Sequence, residues 1–101
     1  MAEQGVFHPN DAATTVNIAA TTSSARVAVN TAPTGRNLRI HNAGAALVFF
    51  EFGGSGINAA VATGIPIPAG AVEIFRTIGS HVAAITASGT ATLYITPGEG
   101  A

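Results

Sequence analysis

The chain predicts an all-β domain: a small antiparallel β-sandwich or barrel of jelly-roll type, built from about seven or eight short strands. Three observations lead there. No window of about eleven residues carries apolar side chains at spacings of three and four, so an amphipathic helix is not expected. Apolar and polar residues alternate with a period of two along most of the chain. Clusters of Gly, Pro, Asn, Ser and Thr interrupt that alternation roughly every eight to twelve residues. Threonine and alanine are abundant but follow no repeat period, which argues against a solenoid.

The first 13 residues read as an extended N-terminal arm, with residues 14–101 forming a single sandwich domain. Within the arm, His8-Pro9-Asn10-Asp11 has the makings of an Asx turn. Thr14 to Thr21 sets Val16, Ile18 and Ala20 against Thr15, Asn17 and Ala19, a half-buried strand. After a Thr22-Ser23-Ser24 turn, Ala25 to Asn30 points Val27 and Val29 inward and reads as its hairpin partner. Ala32-Pro33-Thr34-Gly35 breaks that strand. Asn37 to Asn42 then places Leu38 and Ile40 inside with Arg39 and His41 outside, and Asn42-Ala43-Gly44 turns the chain.

Residues Leu47 to Phe52 are apolar on both phases, with Val48, Phe50 and Phe52 on one side and Leu47, Phe49 and Glu51 on the other. A sheet in a small domain usually buries one face and wets the other, so this strand is expected to lie between two layers or against another molecule. Gly53-Gly54-Ser55-Gly56 starts an excursion running to Ile65, with room for one helical turn over Asn58 to Ala62. Ile65-Pro66-Ile67-Pro68-Ala69-Gly70 lacks two backbone donors and suits a sheet edge. Ala71 to Ile78 places Val72, Ile74 and Ile78 on the core face, with Arg76 among them, and Glu73, Phe75 and Thr77 outward. His81 to Ala87 follows a Gly79-Ser80 turn. Thr90 to Thr96, with Leu93 and Ile95 in and Tyr94 out, closes the domain ahead of a Pro97-Gly98 tail. The expected core is Val48, Phe50, Val72, Ile74, Leu93 and Ile95.

Composition excludes several functions. A formal charge of −1, with no lysine and four arginines, provides no basic stripe for phosphate contacts, so nucleic acid is not an expected partner. Without cysteine there is no disulfide, thiolate chemistry or zinc ribbon. The opening residues lack a signal-peptide pattern, and no apolar run approaches the roughly 18 residues that span a bilayer, so a membrane is not expected either. His8, His41 and His81 lie on separate segments without metal-ligand spacing. Glu51 and Glu73 are read as partners for arginines such as Arg39 or Arg76 rather than as an acid and base pair. The glycine-rich Gly53-Gly54-Ser55-Gly56 lacks the ending of a phosphate loop, and no serine sits in a nucleophile elbow. No cofactor, metal or enzymatic activity is expected.

What the composition favours is assembly. Hydrophobic residues make up 48% of the chain and charged residues 9%, well below the roughly one quarter of charged surface that keeps small domains apart. Arg39, His41, Phe49, Phe75 and Tyr94, all on outward phases, are the candidate protein-contact residues, since aromatics and arginine anchor interfaces. The arm is a candidate for adding a strand to a neighbour's sheet.

From Asn37 onward, several segments resemble a type of short protein encoded in tailed-phage and prophage structural modules. They are Arg39-Ile40-His41-Asn42-Ala43-Gly44, the Phe49 to Gly53 strand end, and Ile65-Pro66-Ile67-Pro68-Ala69-Gly70 with Glu73. His81-Val82-Ala83-Ala84-Ile85 and Thr92-Leu93-Tyr94-Ile95-Thr96-Pro97-Gly98-Glu99-Gly100 complete the set. The resemblance implies a capsid decoration or cement protein on the outer surface of the virion head, made in a bacterial cytoplasm. Its partners would be the major capsid protein and further copies of itself, as a homotrimer or homodimer. A tail-fibre, spike or head-fibre attachment domain is the alternative within virions. A carbohydrate-binding module is the alternative outside them, favoured if Tyr94 and Phe75 form a flat exposed platform.

Overall fold

The alternating segments fold as two antiparallel sheets packed face to face. The computed structural model describes residues 7–9, 15–29, 37–77 and 79–99. Its strands are β1 (His8–Pro9), β2 (Val16–Ala20), β3 (Ala25–Ala28), β4 (Asn37–Asn42), β5 (Val48–Gly53), β6 (Ile65–Ile67), β7 (Val72–Arg76), β8 (His81–Thr86) and β9 (Ala91–Glu99). The expected all-β sandwich is what the chain forms, with β1 as a two-residue addition to the expected count. The Asx turn over 8–11, the break over 32–35 and the placement of Ile78 fall outside the described residues. So does most of the arm; its described strand, β1, pairs with β9 of its own chain.

One sheet is five-stranded, in the order β1-β9-β4-β7, with β2 also on β9; the other is four-stranded, in the order β3-β8-β5-β6. The expected hairpin between the first two long strands is therefore corrected. β2 pairs with β9 from Val16↔Ile95 to Ala20↔Ala91, whereas β3 pairs with β8 from Ala25↔Ala84 to Ala28↔His81. The turn between them is an arch that carries the chain from one sheet to the other. Within it, the Ser23 amide donates to the Thr21 hydroxyl at 3.2 Å, and the Thr86 amide donates to the Thr21 carbonyl at 2.8 Å. The physical reason lies in burial: an arch faces the Ile18 and Ala20 row across the interior from Val27, whereas a hairpin would set both rows side by side in one layer.

The closing strand also runs further than expected, through Pro97 and Gly98 to Glu99. Antiparallel residues bond alternately to one neighbour and then the other. The Ala43 amide donates to the Thr92 carbonyl, so even-numbered residues of β9 bond to β4 and odd-numbered ones bond towards β2 and β1. The missing donor of Pro97 thus faces the junction where β2 has paired up to Ile95 and β1 takes over at Gly98. A proline there costs no ladder bond to β4.

Between the sheets, Ile18, Leu38, Ile40, Leu93 and Ile95 of one layer meet Val48, Phe50, Ile67, Val82 and Ala84 of the other. The fully buried side-chain amide of Asn42 holds the layers together at one end. Its Nδ2 donates to the Ala46 and Ile67 carbonyls, each at 2.9 Å, and its Oδ1 accepts from the Gly44 amide at 3.0 Å. One side chain thereby ties β4, the turn after it and β6, and leaves no polar atom of its own wanting. Gly44 is required in that turn because a Cβ would collide with Ala91.

The phase of β7 is the second correction. Its ladder with β4 sets Leu38 opposite Phe75, Arg39 opposite Ile74 and His41 opposite Val72. Residues directly opposite share a face, so Phe75 points in and Val72 and Ile74 point out, the reverse of the expected assignment. Phe75 packs edge-on against Phe50 with centroids 5.1 Å apart, and Phe52 lies 5.5 Å from Phe50 and 5.9 Å from Phe75. A single phenylalanine completing this aromatic group outweighs two aliphatic residues on a rim strand, where the sheet neighbours only one side. Glu73, on the inward phase, reaches solvent at the open rim, and Arg76 shares the outer face with Ile74.

The excursion after β5 returns across the outer face of the four-stranded sheet and forms a third layer. The Ala59 amide donates to the Ser24 hydroxyl at 2.9 Å near the far edge of that sheet, and the Thr63 hydroxyl donates to Glu51 Oε2 at 2.9 Å. Gly64 lies so close over Phe49 that an added Cβ would come within 2.8 Å of the phenylalanine's Cβ. Its amide donates to the Ala60 carbonyl at 2.8 Å, making a single turn where a helical turn was expected over Asn58 to Ala62. Beneath this cover Ala83, on the outward phase of β8, is fully buried. The two-sided strand is explained by the chain's own loop.

Candidate protein interface

The outer face of the five-stranded sheet has no such cover among the described residues. Its ladders assemble two rows across the strands. One row runs Val72, His41, Tyr94 and Asn17. The next runs Ile74, Arg39 and Thr96, and the Thr96 hydroxyl shares a 2.8 Å hydrogen bond with that of Thr15. Val72 and Tyr94 are each 41% exposed. The His41 and Tyr94 rings lie 6.4 Å apart, tilted by 32°, so the imidazole flanks the phenol.

These rows collect three of the five residues expected at an interface: Arg39, His41 and Tyr94. The other two are elsewhere. Phe75 belongs to the interior aromatic group, and Phe49, although on an outward phase, lies under the excursion at Gly64. The face gains Val72 and Ile74 instead, two residues expected in the core. Their signal was present in the pattern, since Arg76 shares their phase and a charged residue on a core phase is a warning about that phase.

The chemistry of this face is narrow. It offers methyl and ring surface, hydroxyls, an imidazole and guanidinium groups from Arg39 and Arg76. His41 and His81 sit on different sheets, and the Glu51 carboxylate accepts from the Thr63 hydroxyl. The Ser80 hydroxyl and His81 Nδ1 are 2.8 Å apart, but the pair is exposed at a turn with no third group shown orienting it, so no nucleophile is assembled there. A shallow cleft at one end of the sandwich, between Ala46 and Leu47 on one turn and Ser88 and Gly89 on another, is lined by residues without an ionisable side chain.

Such a face suits docking onto another protein: an apolar centre with aromatic and arginine anchors and few charges. Comparison with known proteins found no matching family model, no matching curated protein and no matching solved structure.

Proposed function

We propose that this chain is a structural protein that works by docking, and that it decorates the outer surface of a tailed-phage head by laying the outer face of its five-stranded sheet on the major capsid protein. The observation that carries the docking part is the uncovered row Val72, His41 and Tyr94 with Ile74 and Arg39 beside it. The phage part rests on the resemblance of the segments from Asn37 onward. A small protein that binds only the assembled lattice adds stability by mass action, and many weak copies act together. The same face rules the carbohydrate reading down in rank, because Phe75 is turned inward and leaves Tyr94 without the second ring of a flat platform.

The test is co-sedimentation of the purified chain with heads of the encoding phage that lack it. Saturable binding at a stoichiometry commensurate with the capsid lattice, lost on Tyr94→Asp with unchanged circular dichroism, is the expected result. Absence of binding sinks the capsid reading, and a few copies per particle replaces it with the fibre or spike reading.

A further inference from the structure

Among the described residues, strand β7 presents an unguarded sheet edge. The Asn42 amide donates to the Ala71 carbonyl and the Gly70 amide to the Asn42 carbonyl, while the next amide of the chain, Ala43, turns to Thr92. Even-numbered residues of β4 therefore bond towards β7. Their partners in the ladder are Glu73 opposite Ile40 and Phe75 opposite Leu38. By the alternation of an antiparallel ladder, the amides and carbonyls of Val72, Ile74 and Arg76 point the other way, to an edge that no described strand occupies.

Edges are normally blunted by proline, lysine, a bulge or a covering segment. The edge strand of the other sheet, β6, has Pro66 within it and Pro68 just after it. The opposite edge, β3, is overlain near its start by the Ala59 to Ser24 contact. Strand β7 reads Val-Glu-Ile-Phe-Arg and has no proline, glycine or lysine. Its one acid and one base cancel, so two copies of the edge meet without the net repulsion that a lysine-guarded edge imposes.

We propose that β7 is a self-association edge, pairing antiparallel with β7 of a second copy about a two-fold axis at Ile74. The axis places Ile74 opposite Ile74 and Val72 opposite Arg76, whose aliphatic stem covers the valine. All three outward-facing residues then exchange both of their backbone bonds. The exposed rows of the two copies join into one continuous outer face. A five-residue edge buries less than the roughly 1,600 Å² of a standard interface, so the dimer is weak in dilute solution and strengthens with concentration. This pairing is independent of what the outer face docks on.

Sedimentation equilibrium over a concentration series tests it, with Ile74→Pro as the first variant because that proline removes an outward-facing donor and leaves the Glu73 and Phe75 bonds to β4 intact. Val72→Lys is the second variant and restores a guarding charge without touching the backbone. The wild type is expected to move from monomer to dimer, with the amides of Val72, Ile74 and Arg76 gaining hydrogen-exchange protection as it does. Both variants are expected to stay monomeric. A wild type that is monomeric throughout, variants that dimerise like the wild type, or protection gained at β1 or around Tyr94 instead would each overturn the proposal. Dimerisation without head binding would leave this edge standing and remove only the capsid reading.

Discussion

Strands β5 and β7 have the same problem and solve it differently. Both carry large apolar side chains on both phases, Phe49 beside Val48 and Phe50 in one and Ile74 beside Phe75 in the other. β5 is interior to its sheet, and the excursion that follows it folds back over Phe49 to provide a second layer. β7 is a rim strand, and among the described residues no segment covers its second face. A doubly apolar strand thus marks a shortage of cover, and whether the same chain or another one provides it depends on the length and glycine content of what comes next.

The largest effect is expected where β7 turns inward. Phe75→Asp puts a carboxylate against Phe50 and Phe52, removing the ring and burying an unpaired charge, and should cost about 4 kcal/mol or more. That is a large part of the stability of a domain of this size, so thermal unfolding should occur at least 15 °C lower, at roughly 4 to 8 °C per kcal/mol. A variant with wild-type melting would return Phe75 to the surface and reverse the phase of β7.

Asn42→Ala comes next. It removes three hydrogen bonds between β4, its turn and β6, leaving two carbonyls and an amide to find other partners, and about 3 kcal/mol is expected. Urea denaturation read by circular dichroism measures it. A loss below about 1 kcal/mol would mean that water replaces the amide and that the tie between the layers is weak.

Much of the fold was legible from local pattern, and what escaped it was settled at a distance. Alternation located every long strand and placed Leu38, Ile40, Val48, Phe50, Leu93 and Ile95 in the core. It did not say which strands pair, because Thr22-Ser23-Ser24 serves a hairpin and an arch equally well. Asn42 read as a turn residue, since nothing near it in sequence announces Ile67. Pro97 read as a strand end, when its tolerance depends on where β2 stops. On the candidate site, Arg39, His41 and Tyr94 were legible because β4 and β9 are interior strands whose inner rows carry Leu38 and Ile40 and Leu93 and Ile95. Phe75, Val72 and Ile74 were not, because a rim strand is decided by one ring finding two others.

The cover over β5 gives a smaller effect that separates the two solutions directly. Gly64→Val places a branched side chain where even a Cβ is too close to Phe49, so the excursion must lift from the four-stranded sheet. About 1 to 2 kcal/mol is expected, the range for overpacking a tight contact. The amides of Ala59 and Gly64 should lose hydrogen-exchange protection while those of β4 and β9 keep theirs. Lifting should also expose Phe49 and Ala83 and raise aggregation, a liability the native loop suppresses.

The smallest effect on stability is expected on the face left open. Val72→Thr together with Ile74→Thr keeps branched side chains suited to a strand and touches no residue of the core cluster, so unfolding should change by no more than about 0.5 kcal/mol. Under the proposed docking, the same double variant should weaken attachment to heads, since it takes the apolar flank from Tyr94 and Arg39. The contrast with Phe75→Asp, one position away, is the sharpest available test: neighbouring residues of a five-residue strand should divide cleanly, one governing whether the chain folds and the others governing what it holds. If the threonine pair instead destabilises the fold as much as a core substitution does, then the outer face of β7 is covered in solution by the chain itself, and the difference between β5 and β7 disappears.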